Sequence, residues 1–430
     1  MIKLYSKTLN ETIYKEVLDN GLTVYICQKK DFKLKQAIFS VDYGGADIEF
    51  IPYNSNEFYT APLGVAHFLE HKLFTKADGT DIMEDFSKLG CSANAYTSDI
   101  RTCYYFSGCN NFNEALILLL DFVQKPHFTD ESVENERGII EQELLMRLDN
   151  PYTIAHETVN KMMYEKNYYR NEVGGTLETI KEITKETLDI CYNTFYHPKN
   201  MCLTVVGDFE IEEVLNLIKE NQSNKEFVEF KDPQSVVYHE EAKVIESYKE
   251  IEFDVNVPIV VMGLKFPDLY GKSSYEGCLY YTSLFMLIDS YLDSTTDFFQ
   301  EMIKKGIFNN SFDYESNADK DYCYFKVFCE TEEYEEFIKI MTERLLGIKN
   351  SELSKEEFEF RKRVYLSEQI RGYESVSSVA FMADALHENN AELEDYINAV
   401  RNITYEQVMD ARKYFVKEAL AVCVINYKKE

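Results

Sequence analysis

Residues 64–74 read GVAHFLEHKLF and hold two of the chain's seven histidines. In a helix, His67 and His71 are four residues apart and project from one face, so both imidazoles can reach a single ion. That is zinc-ligand spacing. Glu70 lies beside the same face without having to be a ligand, where it can take a proton from a metal-activated water. The pattern His-x-x-Glu-His is the inverted counterpart of the thermolysin-type zinc helix.

A catalytic zinc takes a third protein ligand and keeps one position open for water. The segment ENERGIIEQELL, residues 134–145, is the best source of that ligand. Glu136 and Glu143 are seven apart and share one helical stripe, while Glu134 and Glu141 form a neighbouring one. Spacing alone does not choose among these four, because an acidic helix in an acidic chain is usually just solvated. His127, His156, His197, His239 and His387 have no partner at ligand spacing and read as structural or surface residues.

The elements that must carry these residues follow from pattern and turn chemistry. TIYKEVLDNGLTVYIC reads as a hairpin turning at Asn20-Gly21, and AIFSVDYGG as a third strand. The period turns helical at GVAHFLEHKLF, a further short helix fits DIMEDFSKLG, and strand alternation returns over NAYTSDIRTCYYFSG. NEALILLLDFVQ predicts a helix stopped by Pro126. A second begins after Thr129, whose hydroxyl can cap it, and runs to about Asn150 before Pro151.

At 430 residues the chain exceeds one ordinary core, so two domains are expected. An internal repeat supports that. ITKETLDICYNTFYHPKNMCLTVV from Ile183 and ITYEQVMDARKYFVKEALAVCVIN from Ile403 align without a gap at an offset of 220 residues. Each opens a helix with Ile-Thr-x-Glu, places a Phe near its end (Phe195, Phe415) and continues into an apolar strand, as a duplicated domain would. The polar stretch around Pro233 reads as a linker, which divides the chain into 1–222, a linker 223–245, and 246–430. Hairpins mixed with runs of helices predict an α+β fold of two homologous domains, each a mostly antiparallel sheet flanked by helices.

The formal charge of -30 disfavours nucleic acid and anionic lipid as partners and favours cationic ones. Ten cysteines without a Cys-x-x-Cys pair argue against a disulfide framework and against a thiolate zinc site. The start has no signal-peptide pattern and the longest apolar runs are too short to span a bilayer, so the expectation is a cytoplasmic protein away from membranes.

The sequence resembles the insulinase or pitrilysin family of zinc metallopeptidases, and most of all its half-length bacterial members. The segments LDNGLTVYI, GVAHFLEHKLF, SANAYTS, ENERGIIEQE, GGTLETIKEIT and FYHPKNMCLTVVGD occur in that family's order and approximate spacing. The resemblance implies His67, His71 and Glu143 as zinc ligands, Glu70 as general base and Glu136 as a carboxylate orienting a ligating histidine. It also implies that an extended peptide adds as a strand along Asn94, Ala95 and Tyr96. The first domain would then carry the metal and the second none. One departure stands out. Family members carry an Arg and a Tyr in the second half, and the matching stretch FFQEMIKKGIFNNSF has Ile303 and Asn309 in those places. A zinc endopeptidase of short or unfolded peptides is therefore expected to work with a homologous partner subunit that supplies Arg and Tyr, as a heterodimer, or as a homodimer. The alternative is an inactive assembly or scaffold subunit with a vestigial zinc site.

Overall fold

The computed structural model describes residues 1–269, 271–319 and 321–428. Two compact units divide the chain: Met1–Leu144, Glu172–Val236 and Gln369–Leu393 form the first, and Leu145–Asn171, Val237–Glu368 and Glu394–Glu430 the second. Each is therefore discontinuous in sequence. Helix Pro151–Met163 falls in the unit of the second sheet and helix Val376–Glu388 in that of the first. Contiguous segments, 1–222 and 246–430, do not contain this sharing of helices.

The first unit is built on a seven-stranded sheet ordered Ile2–Ser6, Glu11–Val17, Thr23–Gln28, Met201–Gly207, Lys35–Val41, Thr102–Gly108, Cys91–Thr97. The predicted hairpin is present, with Glu11–Val17 antiparallel to Thr23–Gln28 and Gly21 N donating to Leu18 O at 2.8 Å. The leading strand Ile2–Ser6, which turn signals did not mark, lengthens that edge. Only Thr23–Gln28 and Met201–Gly207 pair in parallel. The second unit's five-stranded sheet runs Tyr248–Phe253, Leu420–Tyr427, Ile259–Phe266, Cys323–Glu330, Asp313–Ala318. Its one parallel pair, followed by three antiparallel ones, repeats the sequence of pairings that ends the first sheet. The repeat seen from Ile183 and Ile403 is thus two copies of one α+β fold.

Both faces of each sheet are covered, which is why a strand such as Met201–Gly207 is buried at every residue rather than alternating. One face of the first sheet packs on Val65, Phe68, Leu69, Leu116 and Leu188. The other receives Val376, Val379, Ala380 and Ala383 against Tyr25, Ile38 and Cys202. In the second unit Ala155, Val159 and Met163 take the same part against Val261 and Cys423.

Candidate metal centre

The helix Val65–Leu73 is short and almost wholly embedded; His67 and His71 are its only partly exposed residues. Burying Val65, Phe68, Leu69 and Leu73 leaves the four-residue histidine stripe as the accessible face. Its start is fixed by a close approach of backbones. Gly64 caps the helix with φ 93°, and a Cβ there would lie 2.5 Å from the Gly174 carbonyl oxygen. Gly175, at φ 78°, sits as tightly against the Leu63 carbonyl. Only glycine reaches such a conformation and such a distance without strain.

The second contributor is the helix Asp130–Leu148. Thr129 Oγ1 accepts from Ser132 N at 3.1 Å, the cap expected from sequence. Val133, Glu136, Ile140 and Leu144 form its buried stripe and set its rotation. Glu143, beside Leu144, then reaches the histidines: its Oε1 is 3.8 Å from His67 Nε2 and its Oε2 3.4 Å from His71 Nε2. Ligands on a tetrahedral zinc with bonds near 2.1 Å are separated by about 3.4 Å, so the three donors are spaced to share one ion. Among the described residues, His67, His71 and Glu143 are the one group of three or more His, Cys, Asp or Glu side chains gathered within 4.8 Å. The other acidic candidates separate cleanly. Glu134 pairs with Arg137 at 3.0 Å, and Glu141 is not part of the cluster.

Glu136 is buried with its Oε1 3.3 Å from His71 Nδ1 and its Oε2 accepting from Thr75 Oγ1 at 3.3 Å. An acceptor at Nδ1 places the proton there and leaves Nε2 facing Glu143 as an acceptor or metal donor. Glu70 is also buried, and its Oε2 accepts a 2.5 Å hydrogen bond from Thr97 Oγ1. Burial pushes the Glu70 carboxyl up, against the pull of Thr97 and His71, and Glu143 adds to the rise. Burial opposes protonation of His71, yet Glu136, Glu70 and Glu143 together lift its pKa. Two imidazoles and one carboxylate make the donor set, and the negative charge of the neighbouring Glu70 and Glu136 favours a divalent cation there. These residues fit zinc.

Cys91–Thr97 is the edge of its sheet, paired with Thr102–Gly108 on one side and with no strand on the other among the described residues. Asn94 is exposed and Ala95 half-buried. The Tyr96 ring centroid lies 6.4 Å from that of Tyr105 and 6.3 Å from that of Phe381, so the ring packs against its neighbours. In the second unit Ile303 is 40 % exposed on the helix Asp297–Lys304. Asn309 is a turn residue: its Nδ2 donates to Glu330 O at 2.8 Å and its Oδ1 accepts from Ser311 N at 2.8 Å.

Sequence reasoning passed over Thr75, Thr97 and Arg137. Thr75 is four residues beyond His71, a spacing that carries its own signal. Thr97 directly follows the edge residues singled out. Arg137 donates to the carbonyls of Ile180 and Ile183, tying the acidic helix to that segment, and lies over the Phe68 ring of the histidine helix at 6.0 Å. No sequence pattern marks it.

Residues 59–177 match the model for insulinase, peptidase family M16, and residues 182–365 the model for the peptidase M16 inactive domain. A Bacillus subtilis (strain 168) protein called an uncharacterized zinc protease, YmfH, is 34% identical over 97% of this chain and 97% of its own. The chain belongs to the M16 insulinase family. A crystal structure of a putative M16-like peptidase from Alicyclobacillus acidocaldarius superposes with a TM-score of 0.92 at 27% identity, covering 97% of this chain and 99% of that one. The periplasmic protease PqqL from Escherichia coli shares the fold at a TM-score of 0.73 and 19% identity, and 97% of this chain covers 48% of PqqL. The chain spans about half the length of that protease. The relatives' naming as zinc proteases agrees with the donor set, and no helix among the described residues is long and apolar enough to cross a membrane.

Proposed function

We propose that the chain is the zinc-carrying subunit of a cytoplasmic endopeptidase that cleaves short or unfolded peptides. The observation that carries this is the buried Glu70 carboxylate beside three donors spaced for one ion. Zinc in such a set supplies Lewis acidity, acidifying a water and polarising a carbonyl. Every other task falls to the chain. His67, His71 and Glu143 hold the ion, and Glu136 orients His71. The edge strand Cys91–Thr97 accepts an extended peptide by main-chain hydrogen bonds. Glu70 removes the proton of the attacking water at its carboxylate and returns it to the leaving amine.

The same reading gives the enzyme a homologous partner. Ile303 has no donor and the Asn309 amide is already engaged with Glu330 O at 2.8 Å, and loss of an oxyanion donor costs about 3–4 kcal/mol of transition-state stabilisation. A second subunit with Arg and Tyr there makes up the deficit, consistent with a chain that spans about half of PqqL. Incubation with a mixed peptide library, with and without the homologous subunit, tests this by mass spectrometry. Cleavage is expected with the partner and only weakly alone. Full activity of the single chain would remove the partner, and no cleavage in either condition would favour the inactive scaffold.

A further inference from the structure

The hydroxyl of Thr97 has only one proton, and the surrounding bonds decide where it goes. Thr102 Oγ1, 3.4 Å away, is buried and donates its own proton to the Tyr43 carbonyl at 2.9 Å, since a carbonyl only accepts. Thr102 Oγ1 is then left as an acceptor only, and at 3.4 Å it competes poorly with a carboxylate oxygen for the Thr97 proton. The proton of Thr97 is directed at Glu70 Oε2 over 2.5 Å. One carboxylate oxygen is thus anchored, which restrains the rotation of the group and leaves Oε1 as the oxygen that Thr97 does not engage.

The residue that makes this bond is itself held. Thr97 and Thr102 are the last pair of the hairpin at the sheet edge. The intervening turn is closed by Ser98 N donating to Arg101 O at 2.8 Å. Arg101 Nη1 reaches Asp384 Oδ2 at 2.6 Å and Glu388 Oε2 at 2.8 Å, on the helix Val376–Glu388. Ser40 Oγ donates to the other oxygen of Asp384 at 2.6 Å. A turn pinned to a covering helix keeps its threonine from drifting with the open strand edge.

We propose that Thr97 is a positioning residue for Glu70: its hydroxyl anchors one oxygen of the carboxylate so that the other meets the attacking water. This rests on the assignment of Glu70 as base under the proposed function.

The test compares Thr97→Val, Thr97→Ala and Thr97→Ser in the assembled, zinc-loaded enzyme. Removing the hydroxyl is expected to lower kcat about 10- to 100-fold, the scale of a misplaced catalytic group. KM and a zinc content of one per chain are expected to hold, and Ser to restore kcat to within about threefold. Crystal structures of the Val or Ala variant should show the Glu70 carboxylate rotated from its place. An unchanged kcat, a loss confined to KM, or a Ser variant as slow as Val would each overturn the proposal. Glu70→Gln is run alongside. Undiminished cleavage in that variant refutes the base assignment itself, whereas an inactive Glu70→Gln beside an unaffected Thr97→Val refutes only the part given to Thr97.

Discussion

Glu136 Oε1 lies 3.3 Å from Nδ1 of His71, on the opposite side of the ring from the nitrogen that faces Glu143. The buried carboxylate therefore sets which tautomer the ligand adopts. Glu136→Gln keeps the shape and weakens the acceptor, so zinc affinity should fall about 10- to 100-fold. Competition with a chromophoric chelator measures it; an unchanged affinity would mean that His71 needs no orienting carboxylate.

Four acidic residues of the helix Asp130–Leu148, Glu134, Glu136, Glu141 and Glu143, should not behave alike. Glu143→Ala should leave a chain that does not retain zinc through gel filtration, because two imidazoles remain. Glu134→Ala and Glu141→Ala should keep the metal. Metal analysis of the three variants decides among side chains that spacing could not rank.

Gly64 makes the geometry of the histidine helix depend on a missing Cβ. Gly64→Ala must either abandon φ 93° or push away the Gly174 carbonyl. A stability loss of about 1–3 kcal/mol is expected from the strain. Because the displaced element carries both histidines, zinc affinity should fall with it. Chemical denaturation and metal titration on the same variant give the two numbers.

Asp384 is 0 % exposed and joins the covering helix to Arg101 and Ser40. Burial pushes its carboxyl up, against the pull of Arg101 and the Ser40 bond. Asp384→Ala leaves a cation short of a partner, a change that costs about 3–5 kcal/mol for a buried pair. Arg101 keeps Glu388, which places the expected loss at the low end of that range. Denaturant unfolding of the full chain reads it directly.

The candidate donors were legible in the sequence because their signals are local. His67, Glu70 and His71 lie within little more than one helical turn, and the hairpin at Asn20-Gly21 and the cap at Thr129 are short-range features of the same kind. Choosing Glu143 over Glu136 needed either the family resemblance or the rotation of the acidic helix, which Val133, Ile140 and Leu144 fix by burial. The sharing of helices between the units was not legible. Val376–Glu388 and Pro151–Met163 are amphipathic, and an apolar stripe does not say which sheet it covers. The Thr97 bond to Glu70 joins residues 27 apart and depends on sheet register, which no spacing rule contains.

The most direct measurement of the central claim is peptide cleavage by Glu70→Gln in parallel with its zinc content. The geometry predicts zinc at one per chain, since Glu70 is not among the three gathered donors, and a rate lower by about 10²- to 10⁴-fold, the range for a lost general base. Cleavage at the wild-type rate with zinc bound would contradict it.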